Sequence, residues 1–81
     1  MATIAIERSL AGEYFAGQEA MVLDVGSVFA LVRALDGLSP GFGGIADVRV
    51  LVAVDGTMVT DWGAPLHAGS QVLLIPRVGG G

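Results

Sequence analysis

The residues able to do chemistry in this chain are few, and the most suggestive of them carry no side chains. Gly79, Gly80 and Gly81 stand together after Val78. Without Cβ atoms, a glycine backbone can enter a narrow channel and bring an α-carboxylate to a partner's active site. Extended at about 3.3 Å per residue, the segment after Pro76 reaches roughly 15 Å. The other candidates are weaker. His67 is the single histidine and there is no cysteine, which excludes disulfides, thiolate metal sites and Cys–His pairs. Ser9, Ser27, Ser39 and Ser70 have no spacing that builds a triad with His67, which reads as a surface residue in a proline-containing loop. The carboxylates are scattered, with no close pair for acid–base work. Gly41-Phe42-Gly43-Gly44 is a poor phosphate cradle, since no Gly-Lys-Ser/Thr follows and the loop is expected to lead into a strand. Phe42 and Trp62 are expected in loops, either as partner anchors or as partly buried core residues.

The elements that must hold such a tail follow from periodicity. Thr3 to Arg8 alternates Ile4 and Ile6 with polar or small residues, predicting a strand with one buried face. Gly12 to Glu19 reads as a turn, and Ala20 to Val25 as a second strand pairing with the first. Val28, Leu31, Val32 and Leu35 share one face of a helix that Ser27 caps and Gly37 ends in a left-handed conformation. Gly37 to Asp47 is expected to be loop. Val48, Val50, Val52 and Val54 then alternate with Arg49, Leu51 and Ala53, predicting a strand that turns at Asp55-Gly56 into a short return strand over Thr57 to Thr60. Asp61 to Gly69 is irregular, and Gln71 to Pro76 is the last strand. The predicted order is ββαβββ, an α+β domain over residues 1–76 followed by a flexible tail over residues 77–81.

Composition narrows the partners. A chain of 81 residues holds one small core. The formal net charge is −4 and the only cations, Arg8, Arg33, Arg49 and Arg77, lie far apart in sequence, so a phosphate-tracking nucleic-acid surface is not expected. Lysine is absent, so an activated acyl group on this chain meets no side-chain amine of its own. No apolar run approaches the length that spans a bilayer, and the N-terminus lacks the pattern of a signal peptide. A soluble, cytoplasmic protein is the default expectation. A mean hydropathy of +0.72 nevertheless fits either an exposed apolar patch or simply a glycine- and alanine-rich composition.

Several segments, in order, resemble the MoaD/ThiS family of ubiquitin-like sulfur carriers. Val72 to Gly81 is similar to that family's ending, an apolar strand followed by Pro-Pro-Val, a small residue and Gly-Gly, with Pro76, Val78, Gly80 and Gly81 in place. Pro65-Leu66, Gly69 and Val72 resemble its Pro-Leu-x-x-Gly-x-x-Val approach to the last strand. Val52 to Gly56 is similar to its Val-x-Val-Asn-Gly hairpin, and Val25 to Val28 to its helix start. Arg77 departs from the pattern where the second proline stands, Gly79 where alanine or serine is usual, and the start lacks the phenylalanine-containing segment of molybdopterin synthase small subunits.

The resemblance implies a β-grasp fold, a mixed sheet of about five strands covered by one main helix. It implies that a MoeB/ThiF-type enzyme uses ATP to adenylate the carboxylate of Gly81, which a sulfur donor converts to a thiocarboxylate. Gly79 and Gly80 would permit threading, and Ile75, Arg77 and Val78 would contact the partner. No cofactor is expected on the chain itself, and it would act as a cosubstrate rather than catalyse alone. Length and the loop after the helix look closest to the molybdopterin synthase small subunit, whose large subunit would receive the tail. Thiamine, cysteine, a thiolated tRNA or a natural product are alternative destinations for the sulfur. A ubiquitin-like protein modifier and an inert β-grasp interaction module are alternatives of other classes.

Overall fold

The computed structural model describes residues 1–77. The element order is β1 (Ala2–Ile6), α1 (Arg8–Tyr14), β2 (Ala20–Leu23), α2 (Val28–Leu38), α3 (Phe42–Arg49), β3 (Val50–Val54), β4 (Thr57–Val59) and β5 (Gln71–Pro76). The strands form one mixed sheet in the order β2-β1-β5-β3-β4. β5 occupies the centre, parallel to β1 and antiparallel to β3, with the two hairpins outside. This is the α+β, β-grasp arrangement expected, with the predicted strands in the predicted order.

Alternation explains how the sheet acquires one dry face. Ala2, Ile4 and Ile6 of β1, Val72 and Leu74 of β5, and Val50 and Val52 of β3 are buried in a single core. Val28, Leu31, Val32 and Leu35 of α2 belong to the same core, as the i, i+3, i+4, i+7 spacing predicted. Ser27 caps α2: its hydroxyl accepts from the Ala30 N–H at 3.1 Å. The β3–β4 turn is also as expected. Asp55 and Gly56 have φ of 50° and 85°, the type I′ geometry that matches the twist of the strands. The Asp55 carboxylate accepts from the Gln71 N–H at 2.9 Å and so fixes the start of β5.

Several boundaries differ from expectation, and the second and fourth strands end at Leu23 and Val59, a little short of the predicted Val25 and Thr60. The first strand ends at Ile6 rather than Arg8, because Arg8 to Tyr14 is helical. The connection expected to be a turn thus carries α1, which buries Leu10 and Ala11. Gly37 does not end α2, which continues to Leu38 with Ser39 as its C-cap. The left-handed glycine is Gly41, with φ of 98°, and it begins α3 within the segment expected to be loop. The clearest predicted strand consequently starts at Val50, while Val48 and Arg49 close α3. Asp36 makes this second helix possible. Its Oδ1 accepts from the N–H groups of Gly41 (3.1 Å) and Gly43 (2.9 Å), satisfying donors that the Gly41 cap cannot. The same carboxylate already occupies the anion-binding position of the glycine-rich segment, in keeping with the rejection of a phosphate cradle.

Glu7 begins α1 in a comparable way. Its carboxylate accepts from the Ser9 hydroxyl and from the backbone N–H groups of Ser9 (2.9 Å) and Leu10 (3.1 Å). The Ser9 hydroxyl, then these backbone donors, hold the Glu7 carboxyl below its ordinary value. A depressed carboxyl stabilises the fold fully above the unfolded-state value, and stops doing so as pH falls through the lower folded-state value. Glu7→Gln is therefore expected to flatten the acid limb of stability. Urea midpoints measured from neutral to acid pH should fall less steeply in the variant, and parallel curves would refute the role.

Candidate functional site

The central strand delivers the chain to the place where chemistry is expected. β5 sends Val72 and Leu74 into the core and turns Leu73 and Ile75 to the opposite face. Its last residue, Pro76, lies opposite Val50. Proline has no N–H to donate and fixes φ, which suits the end of a strand. One further contact follows: the Arg77 N–H donates to the Arg49 carbonyl at 2.7 Å. On the other side, the Glu7 N–H donates to the Leu74 carbonyl at 2.9 Å. The root of the tail is thus held between the beginning of α1 and the end of α3.

Of the residues singled out from sequence, Ile75 is half-buried beside Leu51 on the outer face, and Arg77 is exposed. Val78, Gly79, Gly80 and Gly81 lie outside the described residues. The outer face around Ile75 is apolar. Ala5 and Leu73 face one another across β1 and β5, Leu73 and Ala53 across β5 and β3, and Ala53 and Met58 across β3 and β4. Leu73 is 42% exposed and Met58 50%, so this is water-facing hydrocarbon continuous with the strand that leads into the tail. Phe29, Leu38 and Val48 are also exposed, on the helices. The high hydropathy therefore includes real exposed apolar surface rather than small residues alone.

Other sequence candidates resolve into structural roles. Phe42 is fully buried, edge-on to Tyr14 and Phe15 with ring centroids 5.6 and 5.0 Å away, and is no partner anchor. Trp62 is half-buried against the core. Ser70 is buried, and its hydroxyl accepts from the His67 backbone N–H at 2.8 Å, closing a turn that leaves His67 exposed. Among the described residues, no group of three or more His, Cys, Asp or Glu could hold a metal. No described helix is long and apolar enough to cross a membrane.

One feature escapes sequence reasoning. Arg49 and Arg77 oppose each other across β3 and β5 extended by one residue, and both border a groove of about 240 Å³ with Leu10, Glu13, Tyr14 and Pro76. Arg77 also borders a neighbouring groove with Asp47 and Trp62. The two arginines lie far apart in sequence, and only the strand register brings them together.

Three solved structures share this architecture. CysO of Mycobacterium tuberculosis, described as an antigen, superposes with a TM-score of 0.81 at 17% identity, over 96% of this chain and 100% of that one. The BexX/CysO complex of Amycolatopsis orientalis gives 0.80 at 17% identity, over 100% of each chain. SAMP1 of Haloferax volcanii gives 0.72 at 22% identity, over 99% of this chain and 98% of that one. No curated protein matches the chain by sequence. At these identities the likenesses establish the fold, a β-grasp domain whose central strand leads directly into its C-terminal segment. The ThiS family model matches residues 4–81, so the chain belongs to the ThiS family, among the ThiS/MoaD-like β-grasp sulfur carriers.

Proposed function

We propose that this protein carries sulfur as a thiocarboxylate on Gly81. The observation that supports it most is that the ThiS family match continues through residue 81, beyond the strand that ends at Pro76. In this reading the Gly81 carboxylate attacks the α-phosphorus of ATP on a MoeB/ThiF-type enzyme, releasing pyrophosphate and forming an acyl adenylate. A sulfur nucleophile then displaces AMP and leaves the thiocarboxylate. ATP belongs to the activating enzyme. Gly79 and Gly80 thread the arm, while Ile75, Arg77 and Val78 contact the enzyme that swallows it. The apolar outer face around Leu73 gives that enzyme a surface to grip.

For the destination of the sulfur, an acceptor outside molybdopterin synthesis is favoured. The solved neighbours above are CysO and SAMP1 proteins, and the start of the chain lacks the phenylalanine-containing segment of molybdopterin synthase small subunits. That CysO forms a complex with a distinct protein, BexX, supports a separate acceptor protein here too. Thiamine, cysteine, a thiolated tRNA or a natural product would each fit. The test is intact mass after incubation with ATP, an activating enzyme of this class and a sulfide donor. The expected gain is that of one sulfur replacing one oxygen, and an unchanged mass argues against the carrier role. Recovery of the acceptor on the loaded protein then names the pathway.

A further inference from the structure

The groove beside the tail root has an uneven chemistry. Its apolar lining comes from Leu10 and Tyr14 of α1, Ile45 of α3 and Pro76 of β5. Arg49 and Arg77 border it together. They occupy opposite positions on paired backbone, an arrangement that disfavours the fold when both residues carry the same charge. A chain of net charge −4 has only four cations, and two of them meet here, with Arg8 opening α1 at the same end of the sheet. Glu13 shares the lining, so the groove is polarised rather than uniformly basic.

We propose that this groove docks a segment of the partner enzyme that presents a carboxylate beside an apolar side chain. Arg49 and Arg77 receive the carboxylate, and Leu10, Tyr14 and Ile45 receive the apolar group. Charge complementarity selects this occupant. The acidic chain as a whole repels polyanions, and a hydrocarbon-lined groove gives an isolated phosphate little to bind. The position adds a reason: a segment held here lies where Arg77 leaves the sheet, and fixes the direction in which the following residues enter the partner. Paired guanidinium groups orient a carboxylate as well as attract it. The inference deepens the carrier reading and rests on it for the identity of the partner as the enzyme that receives the tail.

The test needs neither ATP nor a loaded terminus. The full chain, labelled with nitrogen-15, is titrated at low ionic strength with a short capped peptide carrying one glutamate beside leucine. Amide shifts are expected at Leu10, Glu13, Ile45, Arg49 and Arg77, diminishing with added salt. The double variant R49E/R77E should bind at least about tenfold more weakly while keeping a dispersed spectrum. R49Q/R77Q, which removes charge but keeps bulk, should be weakened as well. The proposal is overturned if no amide in the groove shifts, or if the variants bind as the parent does. It is overturned equally if a leucine–lysine peptide or inorganic phosphate moves the same amides as strongly. Failure here leaves the mass test of sulfur loading untouched, and failure of that test leaves this groove measurable.

Discussion

A chain shortened by Gly80 and Gly81 accepts no sulfur from an activating enzyme that loads the full sequence, while its thermal unfolding stays where it was. The separation of the two effects is the point. Among the described residues, the last backbone hydrogen bond that ties the chain to the sheet is from Arg77 to Arg49, and the last core residue is Leu74. Nothing described in the fold depends on residues removed beyond it. The chemistry should depend on them entirely. Removing two residues draws the terminal carboxylate back by about 7 Å. Misplacing a reacting group by even about 1 Å can lower a rate by about a hundredfold, so loading should fall at least that far. Adding two alanines after Gly81 gives a sharper control, because the glycines remain and only the carboxylate becomes a peptide bond. Intact mass after loading reads both variants. Loading of either at the parent's rate would place the reactive group elsewhere and remove the basis of the carrier proposal.

How far the sequence discloses this fold depends on whether one periodicity acts alone. β5 and α2 were legible because their apolar residues recur cleanly at two and at about 3.6 residues, and Asp55-Gly56 has a conformation few other pairs adopt. α3 was hidden by composition. Phe42, Ile45, Ala46 and Arg49 have helical spacing, yet Gly43 and Gly44 each weaken an isolated helix by about 1 kcal/mol. Tertiary structure overrides that penalty through burial of Phe42 and Ala46 and through Asp36 at the helix start. Gly43 also permits the close approach of α2: a Cβ there would lie 3.2 Å from the Asp36 Oδ1. The alternation that seemed to begin at Val48 was accidental, since Val48 is an exposed residue of α3. α1 was missed for another reason: its cap is Glu7, outside the usual Ser, Thr, Asp and Asn set, and Gly12 interrupts it. At the candidate site, Ile75 and Arg77 were legible because they sit on the strand that leads into the glycines. Arg49 was not, because pairing between β3 and β5, separated by a hairpin and a long irregular connection, leaves no local trace.

The two helices that the sequence concealed meet at one side chain, and its loss should be the most damaging single change to stability. Phe42 →Ala is expected to destabilise the domain by about 3–5 kcal/mol, the range for emptying a buried aromatic site. A domain of this length has about 4–12 kcal/mol in total, so the variant should be largely unfolded or close to it at moderate temperature. The effect is large because the ring is fully buried and joins two helices: it begins α3, stands edge-on to Tyr14 in α1, and packs on Phe15, the C-cap of α1. Phe42→Leu, which keeps much of the volume, should lose distinctly less. Urea unfolding followed by far-ultraviolet circular dichroism measures both. A loss under about 1 kcal/mol for the alanine variant would mean that α1 and α3 are held by other contacts. Because Leu10 and Tyr14 on one helix and Ile45 and Arg49 on the other border the groove at the tail root, loosening this aromatic contact should also blur that surface. A core residue far in sequence from the carboxylate proposed to react thereby governs the rigidity of the platform from which that carboxylate would be presented.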